Sequence, residues 1–287
     1  MFEIIKAIIY GIVEGVTEWL PISSTGHLIL VEELIPFQGV SEDFFGMFDV
    51  VIQLGAILAV VVLFWNQIWP FALTRKEREG KSGPLSFVKM DVMTLWFKIL
   101  VSCVPAAVIG VLFDDVLDAL FYNPVCVALA LIIFGVAFIV IENWNKGRSP
   151  KVNALAGLTY QMALLIGVFQ VIAAVFPGTS RSGATIVGAL LIGVSRTVAA
   201  EYTFFLAIPV MFGASLLKVV KFGFAFTSLE LVLLLLGTAV SFVVSLFVLR
   251  FLMGYIKKHD FKVFGWYRIA LGLVVLAYFG LMAQRLM

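Results

Sequence analysis

Apolar residues fill this chain in long uninterrupted runs, at about 46–69, 91–113, 120–142, 199–221, 227–253 and 263–285. Each run reaches the roughly 20 residues that a helix needs to cross hydrocarbon, and none alternates with the period of two expected of barrel strands. The pattern therefore predicts six transmembrane helices. Two further apolar pieces, about 1–35 and 157–195, are interrupted by Pro21 and by Pro177-Gly178. Proline removes an amide donor and turns the preceding residue away from helix, so each piece reads as helix, break, helix. Irregular backbone at membrane depth survives only inside protein or beside water. Two re-entrant helical hairpins are the expected result.

Composition agrees. Of 287 residues, 62% are hydrophobic and 13% charged, and the mean hydropathy is +1.09. That describes an all-α polytopic membrane protein, one membrane domain over 1–287 with no soluble domain left over. Met1 to Gly11 runs straight into Glu14 and Glu18 without a small-residue cleavage site, so it reads as part of the mature fold. A net charge of +2 gives no reason to expect nucleic acid as a partner. Cys103 and Cys126 fall inside predicted spans and read as buried apolar thiols.

The interrupted pieces resemble each other. A shift of 156 places Gly11 on Gly167, Glu14 on Gln170, Pro21 on Pro177 and Ser24 on Ser180. Repeat one would cover about 1–145 and repeat two about 150–287, each a hairpin followed by three spans. An odd number of spans turns the second copy over, which is an inverted-topology repeat with a site where broken helices meet. Lysine and arginine set the orientation. Arg75, Lys76, Arg78, Lys81, Lys89, Lys146, Arg148, Lys151, Arg196, Lys257, Lys258 and Lys262 share one side; the acidic turn Asp114, Asp115, Asp118 with Lys6, Lys218, Lys221 and Arg285 lies opposite. The positive-inside rule makes the first side cytoplasmic and leaves both termini outside. The first hairpin would then dip in from outside and the second from the cytoplasm.

Few groups in so apolar a chain can do chemistry. Glu14 and Glu18 are four apart, hence on one helical face about 6 Å apart along the axis. Paired carboxylates repel unless they share a proton or a cation, and oxygen donors suit Mg²⁺ or Ca²⁺. Ser23, Ser24 and Thr25 follow the break at a helix start, where hydroxyls cap amides and the dipole favours anions. His27 lies three residues past Ser24, on the same face of a helix. The second break reads Pro177-Gly178-Thr179-Ser180-Arg181-Ser182-Gly183-Ala184-Thr185. Gly178 permits close backbone approach to an anion, Ser180, Ser182 and Thr185 offer donors, and Arg181 brings a planar, permanently charged fork suited to phosphate. Under the shift of 156, Glu18 becomes Ala174, Thr25 becomes Arg181 and His27 becomes Gly183, so the acid–base groups and the anion-holding groups sit in different copies.

The two stretches, Glu14-Gly-x-x-Glu18-x-x-Pro21-x-Ser23-Ser24-x-x-His27 and Pro177-Gly-x-Ser180-Arg181-Ser182-x-x-Thr185, closely resemble the signature regions of the bacterial undecaprenyl-diphosphate phosphatases, the membrane family associated with bacitracin resistance. The resemblance covers essentially the whole chain. It implies removal of the terminal phosphate from a C55 isoprenyl diphosphate carrier, with the first motif serving catalysis and a divalent cation, and the second holding the diphosphate. On that basis Glu14 and Glu18 would bind Mg²⁺ or Ca²⁺. Ser24 reads as nucleophile with His27 as proton partner or general acid, and attack by His27 or a metal-bound water remains the alternative. Arg181 with Ser180, Ser182, Thr185 and Gly178 would grip the substrate, helped by Ser23 and Thr25. The expected partners are a polyprenyl diphosphate and membrane lipids, with a homodimer permitted by the Gly188–Gly193 stretch. A flippase or anion transporter with the same midplane site is the rival reading.

Overall fold

The computed structural model describes residues 2–41, 43–72, 84–223 and 225–285. Twelve α-helices are described: α1 (Phe2–Thr17), α2 (Ser24–Leu34), α3 (Phe44–Val51), α4 (Gln53–Leu63), α5 (Trp65–Ile68), α6 (Met90–Phe121), α7 (Pro124–Trp144), α8 (Tyr160–Val175), α9 (Arg181–Leu191), α10 (Arg196–Phe222), α11 (Ser228–Ile256) and α12 (Lys262–Arg285). Among the described residues the only β-type pairings are two isolated bridges. Six segments are long and apolar enough to cross a membrane: Phe44–Leu63, Met90–Phe113, Pro124–Trp144, Arg196–Phe222, Ser228–Ile256 and Lys262–Leu281. They coincide with the six expected runs, so the chain is an all-α, multi-pass membrane protein. The arms α1, α2, α8 and α9 have 16, 11, 16 and 11 residues, each short of a crossing.

Local chemistry sets the helix starts. Asn123 accepts from the Cys126 amide at 2.9 Å ahead of Pro124 at the first helical position, and Thr159 accepts from the Met162 amide at 3.1 Å. Thr227 and Glu230 cap α11 reciprocally, and the Glu230 carboxylate also accepts from the Ser41 amide and hydroxyl at 2.9 and 2.7 Å. These groups satisfy amides that the first helical turn leaves open. One expectation changes here. Asp114, Asp115 and Asp118 belong to α6, which continues to Phe121, so the turn comes only at residues 122–123. Continuing the helix keeps every backbone group bonded past the last apolar residue. Arg75, Lys76, Arg78 and Lys81 lie outside the described residues. Cys103 and Cys126 are free and only partly buried.

Packing pairs the halves crosswise. The hairpin arm α1 lies on α11 and its counterpart α8 lies on α6; α4 packs on α11 as α10 packs on α6, and α7 pairs with α12. Small residues set the closest of these contacts, as expected where lipid removes any hydrophobic drive and only close fit remains. A Cβ on Gly135 would stand 2.7 Å from the Gly265 carbonyl, and one on Gly265 would stand 2.7 Å from the Gly135 carbonyl. Gly135→Ala should therefore destabilise the α7–α12 pair by about 1–3 kcal/mol through overpacking. Thermal unfolding in detergent checks it, with Gly110→Ala, where nothing lies within 4 Å, as the control that should not fall.

The largest apolar cluster encloses the tip of the first hairpin. Trp19 is fully buried and meets Phe204 edge-on at 5.2 Å. Hence the first break is surrounded by protein, as irregular backbone requires, while at the second Gly178 and Thr179 are buried and Phe176 stays exposed.

Candidate active site

Both breaks end in the same device. Ser23 and Ser180 are the two non-glycine residues with positive φ among the described residues, at 75° and 68°. Each is an N-cap whose hydroxyl accepts from an amide three residues on, Gly26 at 3.3 Å and Gly183 at 3.2 Å. L-residues adopt this backbone at a cost of order 1 kcal/mol or more, and such strain gathers at functional sites. The matching caps revise the internal alignment. Glu14 and Gln170 still correspond at a shift of 156, but beyond the break Ser23 answers to Ser180 and Gly26 to Gly183, a shift of 157. The second break is one residue longer. Ser24 therefore occupies the place of Arg181, not of Ser180, and Thr25 the place of Ser182.

Helix α1 delivers the carboxylates. The Glu18 amide still donates to the Glu14 carbonyl at 3.0 Å, so the two acids lie on one face, one turn apart. Glu18 is 7% exposed and its carboxylate joins the hairpins: Oε2 accepts from Ser24 Oγ at 2.9 Å and Oε1 from the Arg181 guanidinium at 2.8 Å. Arg181 also donates to the Thr203 carbonyl at 3.0 Å, and Ser182 Oγ to the Glu18 carbonyl at 3.3 Å. A hydroxyl and a guanidinium thus converge on one buried carboxylate, a grouping suited to phosphoryl or acyl transfer. Glu14 is fully buried, and neither carboxylate oxygen has a hydrogen-bond partner. It feels the charges of Glu18, Asp49 and Arg181.

Other expected residues are placed differently. His27 does not pair with Ser24. Its Nδ1 lies 2.7 Å from the Ser23 carbonyl and its Nε2 2.8 Å from the Tyr267 hydroxyl, with the two rings stacked at 5.6 Å. A carbonyl can only accept, so Nδ1 carries a proton, and neutral His27 accepts from Tyr267 through Nε2. Three residues after Ser24 the helix brings His27 alongside the cap, but a tyrosine from α12 claims its outer nitrogen. Thr185 turns inward: its hydroxyl meets the carbonyls of Arg181 and Ser182 and Thr203 Oγ1, all within 3.2 Å. It holds α9 against α10. Ser180 Oγ contacts Ser182 Oγ at 3.0 Å. Gly178, at φ 90°, is pressed onto the Val127 backbone, where a Cβ would sit 2.6 Å from the carbonyl. Thr25 is half-buried.

Arg268 is the residue that sequence reasoning passes over. It is fully buried on α12 and donates to three carbonyls, Pro21 at 3.2 Å on one tip, Gly178 at 3.0 Å and Thr179 at 2.7 Å on the other. The signal was an arginine inside an apolar run, the same that singles out Arg181. Tyr267 beside it carries no such mark, since tyrosine is ordinary in a membrane helix.

No group of three His, Cys, Asp or Glu side chains positioned for a metal occurs among the described residues. The orphaned Glu14 oxygens nevertheless fit a hard cation. Mg²⁺ commonly takes one or two carboxylates and completes its shell with substrate phosphate and water.

The family model described as bacitracin resistance protein BacA matches residues 7–274. An undecaprenyl-diphosphatase of Desulfitobacterium hafniense is 64% identical over 279 residues, covering 97% of each chain. Similar proteins of the same name from Clostridium acetobutylicum, "Undecaprenyl-diphosphatase 1", and Enterococcus faecalis are both 61% identical, over 277 and 274 residues, covering 96% of this chain and 97% and 96% of theirs.

Proposed function

The chain belongs to the bacitracin resistance protein BacA family, and from this we propose that it hydrolyses undecaprenyl diphosphate to undecaprenyl phosphate and phosphate, returning the lipid carrier to cell-wall synthesis. The carrying observation is the Glu18 carboxylate shared between Ser24 of one hairpin and Arg181 of the other. The diphosphate enters where the tips meet and its isoprenyl tail lies in the bilayer, where each buried CH₂ contributes about 0.8 kcal/mol.

Ser24 Oγ attacks the terminal phosphorus as Glu18 accepts its proton. The bond to the bridging oxygen breaks and undecaprenyl phosphate leaves. Water then cleaves the phosphoserine, with Glu18 returning its proton to Ser24. Arg181 moves from Glu18 onto the phosphoryl oxygens, so that the carboxylate is freed as a base at the moment the guanidinium meets the anion. Glu14 and Glu18 would hold Mg²⁺ or Ca²⁺, and the cation would supply charge neutralisation for the diphosphate. His27, steadied by Tyr267, lines the mouth as proton carrier for the leaving group. We read the two halves as inverted repeats; the crosswise packing and matched caps support that. The basic loops that gather at the ends of α7, α9 and α11 support a cytoplasmic assignment for that face; on this reading both termini and the mouth of the site lie on the outer, periplasmic side of the bacterial plasma membrane. A homodimer stays within the reading.

Phosphate release by purified protein tests the function. Chelation should reduce it at least a hundredfold, with recovery on adding Mg²⁺ or Ca²⁺; Glu14→Gln should raise the cation concentration needed for half recovery. Release that is indifferent to chelator removes the cation role. Tyr267→Phe keeps the ring stack and loses the hydrogen bond to His27, so phosphate release should fall about three- to tenfold, in kcat more than in KM. An unchanged kcat would return Tyr267 to a packing role.

A further inference from the structure

A cavity of about 430 Å³ lies far from the chemistry, at the other end of α9. Its walls include Arg148, Lys151, Arg196 and Lys257, the unused cap Ser195, and Trp144. Helix α9 runs from Arg181 in the active site to Leu191 at this cavity, 11 residues or about 15 Å.

The cavity is built rather than incidental. Lys151 and Val152 amides donate to the Gly193 carbonyl at 2.8 and 3.3 Å, and the Ser195 amide to the Val152 carbonyl at 2.9 Å, so the 150–153 strip is laced to the α9–α10 link. Asn145 Nδ2 donates to the Leu190 carbonyl at 3.1 Å and closes the third wall. Four cations meet one lining carboxylate, Glu142, and it is already engaged: its Oε1 accepts from Arg196 Nε at 2.9 Å and from the Phe261 amide at 3.0 Å. Glu201 influences Lys257 without bonding to it. Arg148 lies over the Trp144 ring at 4.2 Å, and no ion pair engages Arg148, Lys151 or Lys257 among the described residues. Ser195 caps α10 without a side-chain hydrogen bond, so first-turn amides face the same space. The rim is apolar and outward, with Trp144 58% and Leu191 53% exposed.

We propose that this cavity binds the phosphate headgroup of an anionic membrane lipid. Cations and helix amides receive the phosphate, and Trp144 and Leu191 lie where the acyl chains begin, tryptophan being the residue that favours the membrane interface. An isolated phosphate uses the polar half alone. The proposal is independent of the phosphatase reading.

Native mass spectrometry of the whole protein, titrated with phosphatidylglycerol, phosphatidylcholine or inorganic phosphate, tests it. Wild type should take up phosphatidylglycerol in preference to phosphatidylcholine. The triple variant Arg148→Gln/Lys151→Gln/Lys257→Gln should bind phosphatidylglycerol at least tenfold more weakly, consistent with about fivefold per surface cation, while phosphatidylcholine uptake and basal phosphate release stay as in wild type. All three side chains are exposed, and the single variants, each expected to weaken binding a few-fold, guard against a triple variant that fails to fold. Phosphatidylglycerol affinity within twofold of wild type in all variants overturns the site. Displacement of the lipid by millimolar phosphate at equal affinity overturns the lipid assignment in favour of a free-anion site.

Discussion

Arg181→Ala should lower phosphate release by three to four orders of magnitude. The guanidinium is the cation that the hairpin tips bring to Glu18, 2.8 Å away, and in phosphoryl transfer an arginine on the transferring group is worth roughly 10³–10⁵ in rate. Lysine should not restore it, because one ammonium cannot span two phosphoryl oxygens as the fork does. The single variant also strands Glu18, 7% exposed, without its counter-charge. Breaking a buried pair in this way costs about 3–5 kcal/mol, so lost activity alone is ambiguous. Thermal unfolding resolves it: Arg181→Ala/Glu18→Gln, which removes the stranded charge, should recover most of the stability, and the rate is read in Arg181→Ala itself under conditions where it stays folded, because Glu18→Gln also removes the base. Activity within tenfold of wild type in a folded Arg181→Ala protein would end the transition-state role. Ser24→Ala supplies the companion result. It should abolish any phosphoenzyme trapped by acid quench, and a phosphoenzyme that persists would move the nucleophile elsewhere.

Arg268→Met should be almost as damaging without touching substrate. Three carbonyls from two tips end on one guanidinium at 2.7–3.2 Å. They belong to irregular backbone without helical partners of its own, and the guanidinium that reaches them is fully buried. Leaving a buried acceptor unpaired costs about 1–3 kcal/mol, so the variant should lose about 3–5 kcal/mol and release phosphate at least a hundredfold more slowly. Lysine should restore part of the stability, since an ammonium can reach one or two of the carbonyls but not all three. The discriminating measurement is the separation of Ser24 from Arg181, read by crosslinking cysteines at Thr25 and Ser182. Tips that stay together in Arg268→Met would refute the riveting role, whatever happens to activity.

The spans, the interrupted hairpins and the acidic and basic candidates are legible from order alone, because hydrocarbon tolerates so few charges that each one in an apolar run stands out. Glu14, Glu18 and Arg181 were visible for that reason. Arg268 carried the same mark, though only its three carbonyl partners say what it is for. What order cannot supply is partnership. Ser24 and His27 share a face of α2, yet Ser24 bonds to Glu18 on α1, while His27 is taken by Tyr267, 240 residues away. Thr185 looks like a phosphate donor in a string of hydroxyls and is instead consumed by its own helix and Thr203. The likeness of the two interrupted pieces shows the same division. It is written in the paired prolines and glycines, but the step from a shift of 156 to 157 appears only when Ser23 and Ser180 adopt the same left-handed cap. Hydrophobic length and the cost of buried charge are properties of a segment, so the sequence determined which segments enter the membrane and which residues are costly there. Hydrogen bonds across the breaks are properties of two segments brought together, so only the tertiary structure decided that Glu18 lies between Ser24 and Arg181 and that Arg268 holds the tips in place.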